Sequence, residues 1–133
     1  MNDDEIRWRQ DFDSYYKSYT ELEKYNDRIF QNDLEKPGYI HYFEMAFDFA
    51  HKVIFSYLDA KGETVKDYRQ AVKKLEDRNI IQNHRSWLKA NNRSNLTLFL
   101  HQNEKLSDTL INEIKRTYLP ELAFFTEKLE EIK

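Results

Sequence analysis

Cysteine is absent from this chain of 133 residues, which excludes disulfides and thiolate metal sites and suits a reducing, cytoplasmic setting. Glycine and proline are almost absent too. Gly38, Gly62, Pro37 and Pro120 are the only ones, which leaves few places for strand turns and no glycine-rich loop to cradle a phosphate. No apolar run approaches the roughly 20 residues of a membrane-spanning helix. The opening Met1-Asn-Asp-Asp-Glu lacks the basic and apolar regions of a signal peptide. Surplus positive charge is also missing: the net charge is -3, against what a general nucleic-acid binder needs to displace counterions from phosphates.

What the chain has in quantity is aromatic rings. Two Trp, nine Tyr and nine Phe are expected to supply much of the core. The length fits a single domain over residues 1–133, which buries about two thirds of the surface of its unfolded chain.

Apolar spacing predicts an all-α fold, an antiparallel bundle of four to five helices with a kinked C-terminal helix. The first pattern opens after Asp3 or Asp4 as N-cap and carries Trp8, Phe12, Tyr15, Tyr19, Leu22 and Ile29 on one stripe. The second follows Pro37-Gly38, places Tyr39, Phe43, Phe47, Ala50, Ile54 and Leu58 on one face, and stops near Gly62. A third begins at Thr64, with Asp67 completing a weak capping box, and ends near Asn79. The fourth starts about Asn83, carries Trp87-Leu88 and frays through the polar run Asn91 to Asn95. The last follows Ser107 as N-cap and runs past Pro120, whose missing N–H and bulky ring predict a bend, at a cost of about 3 kcal/mol unless the fold compensates.

Three stretches carry a resemblance. They are Tyr39 to Glu63, with Phe43-Glu44, Asp48 and Lys52; Trp87 to Thr97, with Trp87-Leu88 and Asn95-Leu96-Thr97; and Tyr118-Leu119-Pro120. In that order and spacing the chain, from about Trp8 to Leu122, resembles the nucleotidyltransferase substrate-binding proteins of the HEPN superfamily. The resemblance implies an accessory, non-catalytic subunit that partners a separate minimal nucleotidyltransferase, often as a toxin–antitoxin-like pair. It also implies a homodimer, with a nucleotide or RNA as candidate ligand. The chain is not the catalytic half of such a pair, because it has no Gly-Ser dipeptide. Asp11 and Asp13 sit in a helical pattern where they point about 200° apart, so they cannot share a metal.

Many HEPN proteins are instead metal-independent ribonucleases, in which an Arg and a His meet one scissile phosphate. Here Ser94 stands where that family has Arg, and a position near Phe99 stands where it has His. Arg93 and His101 lie close by and are the catalytic candidates of this alternative. On a continuous helix they would be about 12 Å apart along the axis and roughly 80° apart around it, so only a break between them brings them together. Arg78 and His84 have suitable spacing but precede Trp87, whereas the family's motif follows it. A third alternative is a structural interaction protein whose site has decayed.

For the accessory reading the candidate substrate- or partner-binding residues are Glu44, Asp48 and Lys52. With His51 they line one side of the second helix beside its apolar face. A Lys facing a groove suits a phosphate, and a Glu suits a base or ribose. The plainer expectation is an Asp48 to Lys52 ion pair worth about 0.3–0.5 kcal/mol. No cofactor is expected. Nor is a metal, since His41 and His51 lack the i,i+4 partner of a helical zinc site.

Overall fold

A computed structural model describes residues 2–30, 35–95 and 104–133. Among these the regular structure is helical throughout: α1 Asp3–Glu23, α2 Glu35–Ala60, α3 Tyr68–Asp77, α4 His84–Asn95, and a composite α5. The last begins as Glu104–Glu113, widens into a π-helical segment at Ile114–Tyr118, and continues as α-helix over Leu119–Ile132.

Local chemistry fixes most of the ends. Asn2, one residue earlier than the expected Asp3, caps α1 by accepting from the Glu5 N–H at 2.8 Å. The α1 stripe runs as predicted from Trp8 to Leu22, but the helix ends at Glu23. Ile29 lies beyond it, 83% exposed, which corrects its assignment to the stripe. Helix α2 starts at Glu35, so Pro37 and Gly38 lie in its first turn, where the N–H that proline lacks would have had no intrahelical acceptor. The cap of α3 is Asp67 itself, accepting from the Gln70 N–H at 2.9 Å, while Gln70 accepts in return from the Lys66 N–H at 2.7 Å. The expected start at Thr64 was therefore several residues early.

Helices α2 and α3 end alike. Gly62 (φ 72°) and Asn79 (φ 62°) adopt the left-handed conformation. Glu63 and Ile80 then donate back to Leu58 and Leu75, each at 2.9 Å. Gly62 and Asn79 donate at 3.1 and 2.9 Å to Asp59 and Glu76. These paired bonds satisfy carbonyls that the helix ends would leave open, and they turn the chain sharply.

Long-range contacts give the helix directions. Arg7 bonds Asp59 at 2.9 Å and Lys61 bonds Glu5 at 3.0 Å, so α1 and α2 run antiparallel, and among the described helices they pack most extensively. Helix α5 returns antiparallel to α1: Lys115 donates to the Arg28 carbonyl at one end, and Lys133 pairs with Asp13 at 3.0 Å at the other. Helices α3 and α4 form a short hairpin, tied by the Tyr68 hydroxyl to the Trp87 carbonyl at 3.1 Å.

The rings make the core as expected. Tyr15 meets Phe125 edge-on at 5.4 Å, Phe125 meets Trp87 at 4.9 Å, and Trp87 meets Phe47 at 5.7 Å. That chain of contacts joins α1, α5, α4 and α2, with each of these side chains buried.

The bend at Pro120 has a specific form. Leu119 donates to the Ile114 carbonyl, five residues back. The wider turn accommodates the carbonyls that Pro120 cannot serve, and Pro120 then occupies the first turn of the last segment. The expected loss of one helical bond is thus absorbed just before the proline.

Candidate functional site

The π segment brings three separate stretches of sequence together. Tyr118, the first residue of Tyr-Leu-Pro, turns its ring onto Phe43 of α2, with centroids 5.7 Å apart and planes 20° from parallel. Its hydroxyl donates to Glu113 Oε2 at 2.8 Å. Arg93, from the last turn of α4, donates through Nε to the same oxygen at 3.1 Å. Burial would raise the Glu113 carboxyl, but the Tyr118 and Arg93 hydrogen bonds outweigh it and hold the group below the usual carboxylate range. Burial and the Glu113 carboxylate together push the Tyr118 hydroxyl upward, so it stays a donor.

Beside this triad lies an open groove of about 440 Å³ lined by Thr109, Asn112, Glu113, Arg116 and Thr117. Among the described residues Arg116 has no acidic partner. Hydroxyls, an amide and a free guanidinium make a surface suited to a polar or anionic group. Glu113, Asn112 and Arg116 had no signal in the sequence. Their meeting with Arg93 depends on the crossing of α4 and α5, which no local spacing encodes.

Arg93 is thus placed, but against a carboxylate. A scissile phosphate would have to compete with Glu113 for it. His101, its intended partner in nuclease chemistry, lies outside the described residues, as do Leu96, Thr97 and Phe99. Helix α4 remains regular to Asn95, where fraying was expected.

Arg78 and His84 pair with different carboxylates. Arg78 donates to Glu63 Oε1 at 2.6 Å, beside Lys74 on Glu63 Oε2 at 3.0 Å, bridging the end of α2 to α3. His84 instead meets Glu76 Oε2 at 2.8 Å with both its backbone N–H and its ring Nδ1. The two side chains are held by different carboxylates, in roles that join helices. Asp13 is occupied by Lys133, away from any second carboxylate on its own face.

Glu44, Asp48, His51 and Lys52 follow one another along α2, with Asp48 and Lys52 exposed and Glu44 and His51 half-buried. The Asp48 to Lys52 ion pair does not form. Lys52 instead sets its ammonium over the Phe49 ring at 5.4 Å. Among the described residues Glu44 and Asp48 have no cationic partner either. His51 lies in an aromatic setting, stacked on Tyr68 at 4.3 Å and on Phe55 at 5.5 Å. Burial lowers its pKa, and the Asp48 charge opposes that only in part. It is therefore an uncharged packing residue at neutral pH.

Among the described residues there is no group of three or more His, Asp or Glu placed to hold a metal ion, and no helix long and apolar enough to cross a membrane. A comparison with curated proteins found no match. A family model described as nucleotidyltransferase substrate binding protein like matches residues 10–131, nearly the whole chain and most of every helix.

Proposed function

This chain belongs to the family described as nucleotidyltransferase substrate binding protein like, and from that premise we propose that it is a non-catalytic accessory subunit of a separate minimal nucleotidyltransferase. It positions a substrate or the partner while the other chain supplies metal and phosphoryl chemistry. The pair acts as a toxin–antitoxin-like module in the cytoplasm, and this chain is a homodimer within it. The match over residues 10–131 carries the reading.

Two features of the site support it. Glu44, Asp48 and Lys52 have no charged partners among the described residues, so their charges are available to another molecule. Arg93, the residue a nuclease would need free, is engaged by Glu113 at 3.1 Å, which disfavours the ribonuclease alternative.

The test is affinity purification of the chain from its host at low salt, with mass spectrometry of co-purifying proteins. A small nucleotidyltransferase in stoichiometric amount is the expected outcome, with light scattering giving two copies of this chain per complex. Recovery of this chain alone would defeat the accessory reading. RNA cleavage by the isolated protein, lost in Arg93→Ala and His101→Ala, would establish the ribonuclease in its place.

A further inference from the structure

Away from that site, charge is divided unevenly along the chain. Residues 64–95, which form the α3–α4 hairpin and its lead-in, hold eight Lys and Arg against three Asp and Glu, a net charge of +5. The rest of the chain holds thirteen against twenty-one, a net charge of -8. A molecule that is acidic as a whole thus presents one basic element, and a field of this kind selects partners of opposite sign.

Part of that charge is used inside the fold. Lys74 and Arg78 hold the two oxygens of Glu63 at 3.0 and 2.6 Å, and Arg93 holds Glu113 at 3.1 Å. The rest is not. Lys66 just before α3, Arg69 and Lys73 on it, and Arg85 and Lys89 on α4 are all exposed, and none makes an ion pair among the described residues. Lys66, Arg69 and Lys73 line one open groove of about 500 Å³, with the Gln70 amide among them. Arg69 and Lys73 stand one turn apart, about 6 Å along the axis. Like charges at that spacing weaken a helix unless an anion lies against both.

Two chemistries carry the required charge: the phosphates of a nucleic acid and the carboxylates of a protein. Three observations favour carboxylates. The hairpin offers no ring for a base to stack on, because Tyr68 packs on His51 at 4.3 Å and donates its hydroxyl to the Trp87 carbonyl, while Trp87 is buried. Asp67 and Asp77, at the two ends of α3, also line the groove. A phosphate backbone laid along the helix would pass both of them and then run onto the acidic remainder of the chain, whereas an acidic segment no longer than α3 stops short of it. The third observation is Glu63 itself, a carboxylate already clasped by two cations of the same hairpin.

From these observations we infer that the face formed by Lys66, Arg69 and Lys73 docks an acidic segment of a partner protein, with carboxylates one helical turn apart set against Arg69 and Lys73. This face lies on a different helix from the Glu44, Asp48 and Lys52 row, and it does not depend on the accessory reading.

The experiment is fluorescence anisotropy of the purified full chain with a labelled polyglutamate peptide about as long as α3, and with a labelled oligouridine for comparison, at low and at raised salt. Saturable binding of the peptide is expected, tighter than that of the oligouridine and weakened by salt. Lys66→Glu and Arg69→Glu should each weaken it several-fold, and the two together on the order of tenfold. Both side chains are exposed and unpaired among the described residues, so the fold tolerates the changes, and circular dichroism checks this. Lys17→Glu makes the same change of charge at an exposed position of α1 and should leave peptide binding as it was.

No binding of the peptide, equal or tighter binding of the oligouridine, full affinity in the folded double variant, or an equal loss in Lys17→Glu would each overturn the inference. The titration uses this chain alone, so its failure leaves the co-purification test of the accessory reading standing. Failure of that test in turn leaves this face unaffected.

Discussion

Glu113 accepts from both Tyr118 and Arg93 through one oxygen, so the two partners do not contribute alike. Removing the carboxylate in Glu113→Ala leaves a buried tyrosine hydroxyl and a guanidinium without their acceptor, and should cost about 1–3 kcal/mol in urea denaturation. Arg93→Ala removes a half-exposed partner and should cost under about 1 kcal/mol. Equal losses would show that the ion pair, not the Tyr118 bond, organises the site. Glu121 offers a contrasting carboxylate. It is 9% exposed and accepts from the Asn83 N–H at 2.9 Å. Burial raises its pKa, with nearby Glu76 adding to the effect. The Asn83 bond and the Trp87 indole, close by but outside hydrogen-bond geometry, only partly offset it. Its proton is thus held more tightly folded than unfolded, so this group's contribution to stability falls as pH rises above the ordinary carboxylate range. Glu121→Gln keeps an acceptor for Asn83 without the charge. Its urea midpoint should match or exceed wild type at pH 7 and gain relative to wild type between pH 5 and 7. A variant weaker at pH 7 than at pH 5, relative to wild type, would refute this. Neither carboxylate's role was legible in the sequence, where both read as ordinary charges on a helical pattern.

At the scale of elements, the sequence signals worked best where one residue type answers one backbone need. Gly62 was read as the stop of α2, and it supplies the positive φ that stop requires. Asn79 fills the same position after α3, with Ile80 packing into the core beside Leu75. Asn79→Ala should therefore cost about 1 kcal/mol by forcing a Cβ into the left-handed region. Asn79→Gly should be neutral or slightly stabilising, and thermal melts of the pair would check the difference. Starts were less legible than stops. Thr64 and Asp67 both look like caps, and only the path of the chain from α2 to α3 selects Asp67. Ser107 likewise resembles a cap, yet it is buried within α5, whose first segment begins at Glu104. Pro120 foretold a bend but not its form. Leu110, Ile114 and Tyr118 before the proline, and Leu122, Phe125 and Leu129 after it, are all buried, so the core face continues through the π segment.

For the molecule as a whole, the row Glu44, Asp48 and Lys52 gives the sharpest separation of stability from function. Each side chain lacks a charged partner among the described residues. Alanine at any one should therefore move stability by no more than about 0.5 kcal/mol, as at ordinary surface positions. Under the proposed role the same substitutions should reduce capture of the nucleotidyltransferase several-fold in the affinity experiment. Loss of stability without loss of capture would assign the row to the fold alone. By itself the sequence determined the helical class, the buried apolar stripes of the helices and the family. These follow from periodicity and from motifs in fixed order, which are properties of the chain read along its length. The tertiary structure decided what those motifs do to one another. It joined Phe43, Arg93, Glu113 and Tyr118, gave Arg78 and His84 different carboxylate partners, and set Lys52 over the Phe49 ring. Such meetings depend on how helices cross and in which register they pack, and those are set by the combined fit of many side chains at once.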